Sequence, residues 1–310
     1  MGISRYSSIV TMPEAKQPYP SLMDFLCARF PSIPRRIWEQ RIIQGKLLDE
    51  ANHPLQPDSG YAPGRRIRYF REVAQESEIP FTETILFQDE ELLVACKPPF
   101  LPVIPGGRYV NECLLNRLRI RTGNDDLTPL HRIDRETAGI VLFSVNRRNR
   151  NDYSELFRKG EVDKTYQALS HAVPPLGRTR WEPEDRIVQG EPWFRMKSAP
   201  GATNARSIIT LEEVRGGVAR FELHPLTGKT HQLRLHLSGL GFGIANDRLY
   251  PELRPESSDD YHHPLQLLAK KISFRDPVTG KQREFISPRV LDWNSLRFRT
   301  RRDAESGEKG

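Results

Sequence analysis

One carboxylate stands between two arginines in the stretch "HRIDRETAG", residues 131–139. Asp134 lies between Arg132 and Arg135, directly before an apolar run. Such an acid can belong to a structural ion pair on a loop, and it can also be an active-site group, because perturbed acids occur in both settings. A cationic neighbour would stabilise its ionised form inside a dry pocket. The spacing alone leaves both interpretations open.

Three further cations fall at the beginning of a predicted helix in "LTGKTHQLRLHLSGLG", residues 226–241. They are Lys229, His231 and Arg234, and Thr230 is the predicted N-cap of the helix. Backbone amides at a helix N-terminus also favour negative charge. We therefore expect a carboxylate or a phosphate beside this cluster.

The residue types that usually hold metals or form disulfides do not occur at suitable spacings. His231 and His236 lie five positions apart without the glutamate of the H-E-x-x-H arrangement, so the sequence does not predict a zinc site. Cys27, Cys96 and Cys113 are scattered and odd in number, which is typical of reduced packing residues. We therefore expect no metal site.

Apolar runs and alternating patterns predict the elements that must position these side chains. Three strands are predicted at "LLVACK" (92–97), "GIVLFSV" (139–145) and "DKTYQALS" (163–170). Two alternating stretches flank Gly216 and Gly217, which predicts a β-hairpin. A helix is predicted between Asn146 as N-cap and Gly160 as its end.

Composition describes a globular protein with a surplus of positive charge. The 310 residues carry a formal net charge of +7 and are 37% hydrophobic. A basic surplus attracts polyanions such as nucleic acids, although at this size it is a weak signal. No run approaches the length of a membrane-spanning segment, and the N-terminal stretch lacks the apolar core of a signal peptide. We expect a cytoplasmic protein without a membrane association.

Residues 21–72 have the pattern of a separate small module. Ser21 can cap a first helix and Pro34 can open a second one, and short strand-like stretches follow. The order of elements resembles the alpha-L type of RNA-binding domain shared with a small-subunit ribosomal protein. The RNA-binding side chains predicted for it are Arg35, Arg36, Arg41 and Lys46. The alternative is a packing subdomain with a solvated basic face.

Four motifs in order resemble the RluA family of pseudouridine synthases. "HRIDRETAG" is similar to the family signature H-R-L-D-R-x-T-S-G, and the stretch from "LTGKTHQLRLHLSGLG" to "ANDRLYP" is similar to its T-G-R-x-H-Q-I-R-x-H block and the G-D-x-x-Y that follows. "LLVACKPP" resembles the strand that ends in N-K-P, and "DKTYQAL" resembles K-x-Y-x-A. Together the motifs cover roughly residues 86 to 290.

The resemblance implies an enzyme that isomerises uridine in structured RNA, with ribosomal RNA favoured over transfer RNA. It implies that Asp134 is the catalytic carboxylate acting on a flipped-out base, that Arg234 is its cationic partner, and that Tyr166 stacks on the target base and helps proton removal at carbon 5. It further implies substrate contacts by a second set of residues: Arg132, Arg135, Thr137, Lys229, His231, Gln232 and Leu267. Isomerisation involves no redox change, so no cofactor is required.

The fold class that the resemblance implies is α+β. The expected catalytic domain, residues 86–290, has a mixed, mostly antiparallel sheet with a central cleft, preceded by the small α/β RNA-binding-type domain. We further predict an N-terminal extension (1–20), a linker (73–85) and a basic C-terminal tail (291–310). A monomer without an obligatory protein partner is expected, with RNA as the binding partner.

Two other functions fit parts of the sequence. A non-catalytic RNA-binding or ribosome-associated protein could use the same basic cleft, but the presence of all three expected catalytic residues argues against it. An aspartyl-nucleophile phosphatase would need a second acid two residues after Asp134, where Glu136 is the only candidate and the rest of that pattern is missing. Lys229, Asn246 and Leu268 depart from the family pattern, which predicts an unusual choice of substrate.

Overall fold

The structure, a computed structural model, describes residues 2–14, 17–254, 259–293 and 296. The chain divides into two compact units. The small unit comprises Met1–Ser77 and Gly106–Asn111, and the large unit comprises Glu78–Pro105 and Glu112–Gly310.

Two short helices form one side of the small unit. Helix α1, Leu22–Arg29, begins at Ser21, whose hydroxyl accepts the Asp24 backbone N–H at 3.1 Å, as the sequence predicts. Helix α2, Arg35–Ile43, follows Pro34. Both helices bury aromatic and aliphatic side chains in one core, to which residues outside the helices also contribute. The buried members of this core are Met12, Leu22, Met23, Phe25, Leu26, Trp38, Ile42, Leu47, Leu55 and Ile67.

The strands of the small unit include the N-terminal residues, contrary to the predicted extension and linker. The strands are β1 Gly2–Ile3, β2 Ser8–Thr11, β3 Leu47–Leu48, β4 Arg66–Tyr69 and β5 Glu72–Val73. Strand β4 lies between β2 and β3, and β5 pairs with β1. Residues 8–11 therefore complete a sheet, because β4 would otherwise present unpaired backbone groups at that edge.

The large unit is built on an 11-stranded sheet with three helices. Its helices are α3 Leu114–Thr122, α4 Arg150–Lys159 and α5 Gln232–Gly239. Its first strands are β6 Thr84–Gln88, β7 Leu92–Lys97, β8 Thr128–Pro129, β9 Ala138–Ser144, β10 Val162–Ser170, β11 Arg180–Trp181 and β12 Glu184–Asp185. The others are β13 Ile187–Gln189, β14 Met196–Ser198, β15 Ala205–Arg215, β16 Val218–Pro225, β17 Leu267–Arg275 and β18 Gln282–Ile286.

The order of the main strands is β11-β15-β16-β10-β17-β9-β7-β6, and β13 and β14 form a hairpin outside this sheet. Among the strand pairs that the structure describes, only β9 and β17 run parallel. This arrangement confirms the mixed, mostly antiparallel sheet. Helix α5 contributes Leu233 and Leu237 to one apolar cluster with β15 and β16, and α4 contributes Tyr153 and Leu156 to another with β7, β9 and β17.

Two of the predicted helix caps are wrong, whereas the turns that need glycine are right. Helix α4 begins at Asn149 instead of Asn146, whose side chain accepts the Asn149 N–H, and it ends at Gly160 with φ of 74°. Helix α5 begins after His231, which adopts φ of 55°, and not after Thr230. Its N-cap is therefore a residue in the left-handed region whose side chain makes no capping hydrogen bond to the helix.

Three more findings bear on the sequence predictions. The hairpin between β15 and β16 has Gly216 and Gly217 at φ of 59° and 77°, as the turn requires.

Leu291, Trp293 and Leu296 pack with Leu169, so the predicted tail starts inside the large unit. Residues 294–295 and 297–310 lie outside the described part. None of the helices described is long and apolar enough to cross a bilayer.

Gly139 makes the junction between the two halves of the sheet possible. It stands opposite Ala269 in the parallel pair of β9 and β17, with φ of 118°. A Cβ at this position would lie 2.2 Å from the Ala269 carbonyl oxygen. Because neither backbone can move away without breaking the sheet, only glycine fits here.

We predict that Gly139→Ala destabilises the protein by about 3 kcal/mol or more, since it combines a backbone overlap with a strained φ. The matched control is Gly239→Ala, where an added Cβ meets no atom within 4 Å and φ is not positive. Urea unfolding of both variants checks this. Native-like stability of Gly139→Ala would contradict the proposed packing at the junction.

Candidate active site

A cleft of about 350 Å³ opens in the large unit beside the junction of β9 and β17. It is lined by the loop that precedes β9, by β10, by the turn after β16, by α5 and by the start of β17. The sequence-predicted residues among its lining are Asp134, Tyr166, Arg234, Arg132, Thr137, Lys229, His231, Gln232 and Leu267. Of the residues predicted in this unit, only Arg135 does not line it.

The Asp134 carboxylate faces two nitrogen atoms without a close hydrogen bond to either. Its Oδ2 atom lies 3.5 Å from Nη1 of Arg234 and 3.9 Å from Nε2 of His231. Both distances exceed the usual hydrogen-bond range. The side chain is 28% exposed, and among the described residues no hydrogen bond reaches its carboxylate oxygens. Asp134 therefore has free acceptor capacity directed at the cleft.

Arg234 is held rigidly by two other acids. Its Nε and Nη2 atoms donate to the two carboxylate oxygens of Asp247 at 2.8 and 2.6 Å, and Nη2 also donates to Glu136 at 3.0 Å. Burial alone would lower the pKa of the guanidinium, but these hydrogen bonds and the surrounding negative charges outweigh burial and raise it. Arg234 thus remains a fixed positive charge behind Asp134.

The three carboxylates around Arg234 differ in accessibility. Asp247 is 1% exposed and also accepts backbone N–H groups of Leu249 and Tyr250 at 2.8 and 3.2 Å. Glu136 is 14% exposed and bonded to the guanidinium. Asp134, at 28%, is the acid of the three that a substrate can reach most freely.

His231 connects Asp134 to Tyr250. The His231 Nδ1 atom lies 2.9 Å from the Tyr250 hydroxyl, and that hydroxyl also accepts the Met196 backbone N–H at 2.7 Å. Burial lowers the pKa of His231, and the nearby negative charge of Asp134 opposes this only in part. The imidazole is therefore neutral at pH 7, which leaves Arg234 as the positive partner of Asp134.

Tyr166 presents its ring from β10 to the cleft. Burial raises the pKa of its hydroxyl, and the negative charge of Asp134 raises it further. The side chain is consequently a neutral phenol at physiological pH. Leu267, which is 3% exposed on β17, adds an apolar wall to the same cleft.

Gln232, a predicted substrate contact, has its side-chain amide fully engaged within the protein. Its amide nitrogen donates to the Arg206 carbonyl and the Ser207 hydroxyl at 2.8 and 2.9 Å. Its amide oxygen accepts from Thr227 and from the Lys229 backbone at 2.6 and 3.1 Å. All four hydrogen-bonding positions of the amide are used, so Gln232 fixes the turn before α5.

The other predicted contacts divide into buried and accessible groups. Arg135 forms a two-pronged ion pair with Asp259 at 2.9 and 3.0 Å, which occupies its guanidinium. Thr137 is 2% exposed, and its N–H donates to the Asp134 carbonyl at 3.1 Å, which shapes the loop. Arg132 and Lys229 are exposed at the cleft, and within the described residues the side chains of both lack an ion pair.

Lys97 positions the Asp134 loop, a role that the sequence prediction missed. Its ammonium group is completely buried and donates to the carbonyl oxygens of Pro98, Leu101 and Arg135 at 2.9, 2.7 and 3.0 Å. Burial lowers its pKa well below the usual value, although Asp134 opposes the shift. The available signal was a charged residue at the end of an otherwise apolar strand.

The basic residues predicted in the small unit differ in exposure. Arg41 is 7% exposed, pairs with Glu72 at 3.0 Å and lies over the Trp38 ring. Lys46 pairs with the same carboxylate. Both are occupied within the unit, in contrast to the predicted RNA contacts.

Arg35 and Arg36 of the small unit remain on its surface. Arg35 is 56% exposed and pairs with Asp24 at 3.0 Å and with Glu39. Arg36 is exposed, and its side chain has no ion pair in the part of the unit that the structure describes. Of the predicted set, it is therefore the guanidinium most available to a phosphate.

The cleft is not arranged as a metal centre. Across the described residues, no group of three or more histidine, cysteine or acidic side chains could hold a metal ion. Lys164 lines the cleft as well, and burial lowers its pKa. The acidic and basic side chains of the lining, apart from its histidines, are thus Asp134 and the cations Arg132, Lys164, Lys229 and Arg234.

His131, the first residue of the signature stretch, is held as a neutral acceptor. Its ring stacks on Phe157 with 4.7 Å between centroids, and its Nε2 atom accepts the Leu142 backbone N–H at 3.1 Å. Burial lowers its pKa to about 3, and the positive charge of Lys164 adds to this. Protonation would remove the acceptor and the loop contact that it maintains.

We predict that His131 makes the protein less stable in acid. In the unfolded chain a histidine titrates near pH 6.5, so the contribution is intact above that pH and is lost as the pH falls towards about 3. At pH 5 the loss should be about 2 kcal/mol. Urea unfolding at pH 7 and pH 5 should show a correspondingly smaller pH effect in His131→Gln, which keeps an acceptor but does not titrate. An equal pH effect in both proteins would contradict this.

Comparisons with known proteins agree with this geometry. Residues 91–239 match the family model described as RNA pseudouridylate synthase. The dual-specificity RNA pseudouridine synthase RluA of Pasteurella multocida is 30% identical over 219 residues, which cover 66% of this chain and 92% of that protein. An uncharacterized RNA pseudouridine synthase of Synechocystis, slr1592, is 28% identical, with 74% and 79% covered.

A solved structure has the same fold. Human RNA pseudouridylate synthase domain containing 1 superposes with a TM-score of 0.55 at 22% identity, over 69% of this chain and 86% of that chain. The likeness confirms the α+β fold predicted for the catalytic domain. Since the motifs, the fold and the relatives agree, this chain belongs to the RluA family of RNA pseudouridine synthases, enzymes that isomerise uridine in RNA.

Proposed function

We propose that Asp134 is the carboxylate with which this enzyme isomerises uridine, and that its substrate is a structured RNA, ribosomal RNA in the first place or otherwise transfer RNA. The observation that carries the assignment is the contrast among the three acids around Arg234. Asp247 and Glu136 are bonded to the guanidinium, whereas Asp134 faces the cleft with unused acceptor positions. A nucleophile needs such an unengaged lone pair.

The cleft suits a single nucleoside that has left its stack. A volume of about 350 Å³ falls in the range of small-molecule sites. Extruding a base costs a few kcal/mol, which contacts at the cleft must offset. We assign Arg132 to the space that the base vacates or to the flanking phosphate, and Lys229 to a phosphate, because both are exposed beside the cleft.

The bond changes need an ionised carboxylate and no redox partner. The bond from ribose C1′ to ring N1 breaks, the uracil turns, and a bond from C1′ to C5 forms. The C5 proton is lost and N1 gains a proton, so that atoms and electrons balance without a cofactor. Attack of Asp134 at C1′ and elimination assisted by Asp134 both use a carboxylate oxygen. That oxygen lies next to the fixed positive charge of Arg234.

Tyr166 supports binding of the base more than proton transfer. Its raised pKa means that the phenolate is not populated near neutral pH, so the hydroxyl is a poor base on its own. The ring lines the cleft with Leu267 and offers a face for stacking. We therefore assign Tyr166 to orientation of the uracil, with proton removal at C5 dependent on a neighbouring acceptor such as Asp134.

We further propose that the small unit binds RNA through its exposed arginines, that the enzyme acts as a monomer without an obligatory protein partner, and that it is cytoplasmic. Arg36 and, in part, Arg35 are available for phosphate contacts. The resemblance of its two helices and short strands to the alpha-L type of RNA-binding domain supports the same role.

The catalytic assignment predicts a specific loss in Asp134→Asn. The amide keeps the size of the side chain but lacks the ionised oxygen, so pseudouridine formation should fall by about a thousandfold or more. RNA binding should stay within about threefold. The measurement is mapping of pseudouridine in total RNA incubated with each protein.

The matched control is Asp152→Asn, the same change at an exposed position of α4 away from the cleft. This variant should retain the native rate. If Asp134→Asn isomerises uridine at a rate comparable to that of the control, the nucleophile has been assigned to the wrong residue.

The small unit offers a second comparison, between an exposed and a buried arginine. Arg36→Ala should weaken RNA binding and reduce the slope of log K against log salt by about 0.7, without a change in stability. Arg41→Ala should instead lower stability by about 3 kcal/mol, because it removes a buried partner of Glu72. Salt-dependent binding and urea unfolding separate the two effects. An unaltered salt slope in Arg36→Ala would favour the packing-subdomain alternative.

A further inference from the structure

The hairpin of β13 and β14 exposes two aromatic side chains at its tip. Trp193 is 76% exposed and Phe194 is 44% exposed. Their rings meet edge to face, with 5.9 Å between centroids. Leaving a tryptophan this accessible forgoes much of the free energy that its burial would provide, so the position is typical of a binding site.

Local hydrogen bonds hold the tip in one conformation. The Gly190 N–H donates to the Arg195 carbonyl at 2.8 Å, and the Arg195 N–H donates to the Pro192 carbonyl at 2.8 Å. The Gln189 side-chain amide donates to the Trp193 carbonyl at 2.9 Å. Trp193 is therefore presented by an ordered turn, which reduces the entropy lost when a ligand stacks on it.

The charges around the tip favour a polyanion. Residues 187–198 contain Arg195 and Lys197 against the single acid Glu191. Lys197 is exposed, and its side chain has no ion pair in the described part of the chain. Proteins commonly bind unpaired nucleotides with exposed aromatic rings and nearby cations. The bases stack on the rings and the cations contact the phosphates.

The hairpin is joined to the candidate active site by one hydrogen-bonded connection. Met196 on β14 donates its N–H to the Tyr250 hydroxyl at 2.7 Å, and its carbonyl lies 3.1 Å from the same hydroxyl. That hydroxyl lies 2.9 Å from Nδ1 of His231, which lines the cleft beside Asp134. The hairpin is therefore held at a fixed position relative to the cleft.

We propose that residues 187–198 form an RNA-binding arm in which Trp193 stacks on an unpaired base near the target uridine and Lys197 contacts the backbone. This inference rests on RNA being the substrate. A second copy of this chain could also cover an aromatic tip, but the excess of positive charge on the hairpin would oppose pairing with itself.

The first test is equilibrium binding to a stem-loop RNA with an unpaired, uridine-rich loop. Trp193→Ala should bind about tenfold more weakly, whereas Trp193→Phe, which keeps an aromatic face, should stay within about threefold. Lys197→Ala should reduce the salt slope by about 0.7. The matched control is Leu176→Ala, which removes a fully exposed apolar side chain of the large unit, and this variant should bind as the native protein does.

The second test uses tryptophan fluorescence of the full chain. Trp38 and Trp181 are buried, so RNA that stacks on Trp193 should quench the most exposed of the described indoles. Trp193→Phe should lose this quenching while it retains its affinity. These binding measurements do not depend on turnover, so they distinguish failure of the arm from failure of the Asp134 assignment.

Two results would overturn the proposal. One is native affinity and native quenching in Trp193→Ala. The other is a loss of Trp193 exposure with rising protein concentration in the absence of RNA, together with a dimer in sedimentation, because the tip would then be a contact between copies of this chain.

Discussion

The buried guanidinium of Arg234 determines how the cleft is organised. A cation taken out of water must be compensated by acids with good geometry, and Asp247 and Glu136 supply that compensation through direct hydrogen bonds. Their bonds fix the guanidinium so that Nη1 remains directed at Asp134 across 3.5 Å. Two carboxylates are thus used to hold the cation, and the third stays available for chemistry. The neutral states of His231 and Tyr166 follow from the same burial, since neither has an acid bonded as closely as Arg234 does.

This arrangement depends in turn on the sheet. Asp134 is located on the loop that enters β9, and β9 meets β17 in the parallel pair where Gly139 contacts Ala269. Lys97, at the end of the neighbouring strand β7, donates to the Arg135 carbonyl of this loop, and to the Pro98 and Leu101 carbonyls of its own segment. The loop is therefore fixed from both sides by backbone interactions. Two charged groups of this loop remain accessible at the cleft, the Asp134 carboxylate and the exposed Arg132 guanidinium.

Local sequence patterns predicted what depends on neighbours in the chain. The helix start at Ser21, the turn at Gly216 and Gly217 and the strands at residues 92–97 and 139–145 all follow from caps, glycines and apolar runs. Whether a polar side chain is already paired within the protein is hard to predict where a distant residue decides it. The local sequence around Arg41 and Lys46 contains no sign that both side chains pair with Glu72, which lies 31 and 26 residues further along the chain. Gln232 satisfies its amide with Ser207, 25 residues away, and Glu136 reaches Arg234 across 98 residues. The motif resemblance pointed to Arg234 and Asp134, but it does not indicate which polar side chains are already hydrogen-bonded within the protein.

The polar groups of the site fall into those already paired within the protein and those still available to a substrate. Within the cleft and its surroundings, the polar side chains that hold the structure are paired internally, and those exposed to a strand of RNA are Asp134, Arg132 and Lys229. A single acid among cations repels a phosphate less than it would alone, so under the proposed function the RNA backbone can approach while the base reaches Asp134. The link from His231 through Tyr250 then fixes the hairpin of β13 and β14 relative to the cleft. Under the proposed function, residues of the cleft act on the uridine and residues of the hairpin bind the flanking RNA, and this hydrogen-bonded connection keeps the two groups at a fixed separation.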